Sequence, residues 1–129
     1  MKLFKKLLFP LLAVMMVFTA CSKKDNDGPS STSHKVVFKA FGSSDVQISS
    51  AVYGYDTELT SVSSLSGTTW TSPEVNVPAG ALMAQAVVTA TGTSAASSLK
   101  VEVWVDGVKK DEASSTGTAL VAHPAANLR

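Results

Sequence analysis

The chain has 129 residues, 45% of them hydrophobic, and a formal charge of +1. That size supports one hydrophobic core, and the charge lacks the basic excess of a nucleic-acid binder. With a single cysteine, Cys21, no intramolecular disulfide can form, so packing must supply the stability.

The first stretch sets the address. Lys2, Lys5 and Lys6 form a positive start, an apolar run extends from Leu7 to Ala20, and Cys21 follows the small residues Thr19 and Ala20. This arrangement resembles a bacterial lipoprotein signal, with Phe18 where the family carries Leu, Val or Ile. The resemblance implies a signal peptide over residues 1–20, cleavage between Ala20 and Cys21, and lipidation of Cys21. Chemically, its thiolate is the one strong soft nucleophile available to accept a diacylglyceryl group. An ordinary secretory peptide cut after Ala20 would want a small residue at Phe18. A membrane span needs roughly 20 apolar residues, and this run is shorter and interrupted by Pro10. Two acyl chains on the glyceride give stable anchoring, at about 0.8 kcal/mol per buried methylene. Without the three signal lysines, eight Lys and Arg face ten Asp and Glu, a net charge of −2.

From Ser22 to His34 there is almost nothing to bury, so residues 21–34 read as a lipidated cysteine and a disordered tether. Ser22-Lys23-Lys24-Asp25-Asn26-Asp27 resembles the Lys-then-acidic export signal of surface lipoproteins in the Bacteroidota. That resemblance implies an outer-membrane lipoprotein exposed at the cell surface.

From Lys35 the pattern becomes short β-rich runs between Gly, Ser, Asp and Pro, without helical periodicity. Lys35 to Phe41 is the first expected strand. Asp45 to Tyr55 follows, with Val46, Ile48, Ser50 and Val52 expected inward and Gln47, Ser49, Ala51 and Tyr53 outward. Leu59 to Leu65 is a weaker strand, and Trp70 to Val77 alternates loosely before a Pro78-Ala79-Gly80 turn. Ala81 to Thr91 places Leu82, Ala84, Ala86 and Val88 on one face. The clearest signal is the hairpin from Leu99 to Val108, with Leu99, Val101, Val103 and Val105 inward and Asp106-Gly107 as a type I′ turn. Continued without a break, its register would set Lys110 opposite Val103 and Glu112 opposite Val101 and bury both charges. A bulge after Val108, or an edge strand that leaves the core early, is therefore required. Thr118 to His123 closes the sheet, and residues 124–129 read as a loose tail.

Seven to eight short strands over residues 35–123 point to an all-β fold, an immunoglobulin- or fibronectin-like antiparallel β-sandwich. Trp70, then Val75-Asn76-Val77-Pro78-Ala79-Gly80, then Leu99 to Val108, is similar to the exported domain of the mycobacterial MmpS proteins. These are small membrane-anchored sandwiches that assist lipid exporters. The similarity implies an accessory role in an envelope transporter, although a lipobox stands here in place of that family's membrane helix.

Candidate chemistry is sparse. His34 and His123 are the only histidines, too few for a His-rich metal set or a catalytic triad, so no cofactor or metal is expected. Asp56 with Glu58 could hold a hard cation or act as paired carboxylates in a small hydrolase, and solvated turn charges explain them and Asp111 with Glu112 alike. Trp104 alternates outward beside Lys100 and Glu102. It is either an anchor for a glycan or protein partner, with Lys100 and Lys109, or a sheet residue covered by the Lys109 stem. The expectation is a non-catalytic, lipid-anchored envelope protein whose membrane contact is its anchor and whose partner is an envelope protein or glycan.

Overall fold

The computed structural model describes residues 32–129; the signal peptide, the Ala20–Cys21 cleavage site, the lipidation of Cys21 and the tether up to residue 31 lie outside the described residues. Ten strands form: β1(His34–Gly42), β2(Gln47–Tyr55), β3(Glu58–Val62), β4(Thr69–Thr71), β5(Val75–Val77), β6(Met83–Thr91), β7(Ser98–Val105), β8(Val108–Thr116), β9(Ala119–Ala122) and β10(Ala125–Asn127). They make two antiparallel five-stranded sheets packed face to face, a β-sandwich. In the first, β1 lies between β7 and an edge made of β4 and β5 end to end, and β8 lies beyond β7. In the second, β6 lies between β2 and an edge made of β9 and β10, and β3 lies beyond β2.

Proline interrupts both composite edges, so ten strands occupy eight positions. Pro73 separates β4 from β5, and Pro124 separates β9 from β10, because a proline has no N–H to donate to the ladder. Ser72 repairs the first break: its N–H donates to the Phe38 carbonyl (2.9 Å), and its Oγ accepts the Phe38 N–H (3.0 Å). The run expected from Trp70 to Val77 is thus two short strands. The expected loose tail is a strand too: β10 pairs with β6, Ala126 and Leu128 are buried, and the Asp111 carboxylate accepts the Ala125 N–H (2.9 Å).

The core is built of small residues around a few rings. Val36, Phe38, Val103 and Val105 of the first sheet face Tyr53, Ala84 and Ala86 of the second, and further along Ala40, Leu99 and Val101 join Ile48, Ala51, Val88 and Leu120. Tyr53 packs between Phe38 and Trp70, with ring centroids 5.7 and 5.4 Å away, and Trp70 touches both clusters. Truncating Phe38, fully buried, to alanine should cost about 3–5 kcal/mol.

Two bulges decide which side chains face the core. In β8, Lys110 is unopposed, so Lys109 registers with Trp104 and Asp111 with Val103, and Ala113 rather than Glu112 lies opposite Val101. In β2, Ser49 is unopposed between Ile48 and Ser50, and the inward set switches from Val46 and Ile48 to Ala51 and Tyr53. The expected inward placement of Ser50 and Val52 therefore fails, since one extra residue inverts every position after it.

The loops divide between two ends. Residues 43–46, 63–68, 92–97 and 117–118 share one end; residues 56–57, 78–82 and 106–107, with His34 and the last residues, share the other. His34 opens β1 instead of ending the tether, because Asp106 holds it: its Nδ1 lies 2.7 Å from Asp106 Oδ2, and the Lys35 N–H donates to Oδ1 (2.9 Å).

Candidate functional site

Since β7 turns Val101, Val103 and Val105 inward, its intervening side chains Lys100, Glu102 and Trp104 stand on the outer face of the first sheet. Antiparallel pairing sets Phe41, Lys39 and Val37 of β1 beside them in turn. On the other side, β8 brings Lys109 opposite Trp104 and Glu112 opposite Glu102.

This neighbourhood covers a carboxylate on the outside of a sheet. Glu102 is only 6% exposed. The Trp104 indole N–H donates to its Oε1 (2.8 Å), and the ammonium groups of Lys100 and Lys109 lie 3.4 and 3.6 Å from Oε2. Burial pushes the Glu102 carboxyl up, but the cover is one side chain thick, and the indole and the two lysines outweigh it and hold the group below its usual range. Lys109 is also held by Glu112, 2.7 Å away, which raises its pKa.

Trp104, Lys100 and Lys109 therefore converge on Glu102, and both lysines are engaged with carboxylates. The lysine over the indole ring is Lys39, its Nζ 4.4 Å from the centroid, in place of the expected Lys109. Beyond Lys39 a groove of about 420 Å³ opens, lined by Lys35, Val37, Lys39, Glu74, Trp104, Asp106 and Gly107. Lys35 donates to the Asn76 side chain (3.1 Å) and lies 3.9 Å from Glu74. The groove joins an aromatic edge, an aliphatic floor at Val37, the two ammonium groups and the carboxylates of Glu74 and Asp106, a set that suits a polar ligand with some apolar surface.

Lys35 and Lys39 escaped the sequence reading because their partner strand is distant in the chain. Alternation in Lys35-Val36-Val37-Phe38-Lys39 puts both on one face, but only the pairing of β1 with β7 sets that face beside Trp104. Of the other candidate carboxylates, Glu58 is exposed at the start of β3, and the remaining three serve the fold. Asp56 accepts the backbone N–H groups of Leu82 and Met83 (both 3.1 Å to Oδ1), Asp111 holds β10, and Glu112 holds Lys109. Among the described residues, no group of three or more His, Cys, Asp or Glu is placed to hold a metal ion. His123 meets the Gln85 side chain at 3.0 Å. No protein-family model matches this chain, and neither does any curated protein.

Proposed function

We propose that this protein is a non-catalytic lipoprotein of the bacterial envelope, anchored through Cys21, whose sandwich binds an envelope glycan or protein segment. The observation that carries the reading is the groove between Lys35, Lys39 and Trp104, which offers cationic and aromatic contacts and lies on the open face of a sheet. The Lys-Lys-Asp-Asn-Asp stretch after Cys21 supports an outer-membrane, surface-exposed location. The MmpS-like motifs support a narrower version, in which the same face docks on an envelope transporter.

The test is recovery of partners from envelopes solubilised in mild detergent. A Lys35→Gln/Lys39→Gln double variant leaves the Glu102 cluster intact and should lose at least about tenfold in partner affinity, as loss of an interface hot spot does. Equal recovery by wild type and variant would exclude the groove. Co-purification with an exporter would select the accessory version, whereas removal of the domain by protease added to intact cells would support surface display.

A further inference from the structure

The two ends of the sandwich carry different loops, and β1 begins at one of them. The loops remote from His34 are rich in Ser, Thr and Gly, with Asp45 their one charged residue. At the tether end, the crossing from the first sheet to the second is the uncharged apolar run Pro78-Ala79-Gly80-Ala81-Leu82, followed by Met83. Leu82 and Met83 are 48% and 42% exposed. Val108, 55% exposed, lines a hollow with Leu128, Lys110 and Arg129, and the Leu128 N–H donates to the Leu82 carbonyl (2.9 Å). Val108, Leu82 and Met83 therefore belong to one end face.

Charge on this face is uneven. Asp106 is occupied by His34 and Asp56 by the N–H groups of Leu82 and Met83, while Lys110 and the Arg129 guanidinium have no carboxylate partner among the described residues. Asp56, Asp106 and Glu58, at the β3 edge, keep negative charge on the same end, so the cationic surface is local to the hollow at Val108. Apolar side chains beside unpaired cations form the pattern of a surface that enters an anionic headgroup layer.

We propose that this end face rests on the bilayer that carries the Cys21 anchor, with Leu82, Met83 and Val108 in the headgroup region and Lys110 and Arg129 against anionic headgroups. The proposal rests on the lipidation of Cys21. Twelve residues lie between Cys21 and His34, and even fully extended this stretch reaches only about 45 Å. His34 shares the hollow with Val108, so the chain leaves the domain at this face, and the tether favours it over the opposite one, about 30 Å of strand further away, near the lipid. A contact too weak to recruit a free protein is sufficient under that constraint.

The experiment uses the mature lipoprotein reconstituted into phosphatidylglycerol-containing vesicles and a thiol-reactive nitroxide. The parent protein should take up no label, because the Cys21 sulfur is a thioether. In Val108→Cys, the nitroxide should be several-fold more accessible to dissolved oxygen than to a water-soluble nickel chelate, relative to Ala95→Cys at the far end. Equal aqueous access at both positions, with an unlabelled parent, overturns the docking and leaves the anchor standing. A parent that labels at Cys21 overturns the anchor and the docking together. The Lys110→Glu/Arg129→Glu exchange in the Val108→Cys chain should return the probe to water; retained lipid contact would overturn the role given to anionic headgroups.

Discussion

The far end of the sandwich and the tether end are built on different physics. At the far end, Asp45 gathers the Thr93 N–H (3.1 Å), the Thr93 hydroxyl (2.7 Å) and the Ser43 hydroxyl (2.8 Å), with Ser97 closing the set. The β1–β2 and β6–β7 loops are thereby tied together by polar contacts that need no neighbour outside the chain. At the tether end, Asp56 and Asp106 fix the backbone, but Leu82, Met83 and Val108 are left facing outward. The lesson is that one end is finished by its own hydrogen bonds, whereas the other keeps apolar surface that a bilayer would cover.

That contrast can be broken hardest at Gly92. A Cβ there would lie 2.3 Å from the Ser97 Cβ and 2.8 Å from the Gly117 carbonyl oxygen, so Gly92→Ala must push the Asp45 clamp apart. The expected loss is about 3 kcal/mol in a denaturant melt. A near-neutral result would show that the far end is not closely packed. Leu82→Ser, at the other end, should leave stability within about 0.5 kcal/mol while cutting vesicle contact several-fold.

Acid sharpens the comparison further. The Ser97, Thr93 and Ser43 donors hold the Asp45 carboxyl well below the usual range. Its folded pKa is depressed, so its stabilisation is complete above the unfolded aspartate value of about 3.9 and is lost as pH falls through the folded value. Asp45→Asn should therefore lower the melting midpoint at neutral pH, and the difference from wild type should shrink in strong acid. Asp106 is depressed as well, first by its contact with His34. Asp106→Asn should give the smallest effect of the series, faster exchange of the Lys35 amide with little change in melting, because one strand end is freed and no loop-to-loop clamp is lost.

How much of this was legible depends on the range of the interaction. The β7–β8 hairpin was readable because its signals are local: Asp106 and Gly107 take φ of 51° and 83° as the turn requires, and the charges of Lys110 and Glu112 demanded either a bulge or an edge strand that leaves the core early, of which the register contains the bulge. The bulge at Ser49 left no such mark, since neither Ser50 nor Ala51 is excluded from either face by chemistry. Trp104 was visible as an outward aromatic. The groove beside it was not, because Val37 and Lys39 are more than sixty residues away in the chain and meet β7 only through the fold. The tail was misread for the same reason: the bond from Ala125 to Asp111 that makes β10 possible is not a local pattern.

Both the proposed binding surface and the proposed orientation of the ends rest on the proposed anchor at Cys21, so the most direct measurement is the intact mass of the protein extracted from envelopes. The account predicts a chain that begins at Cys21 and carries a diacylglyceryl group on its sulfur. A chain retaining residues 1–20, or one with a free thiol at position 21, would contradict it.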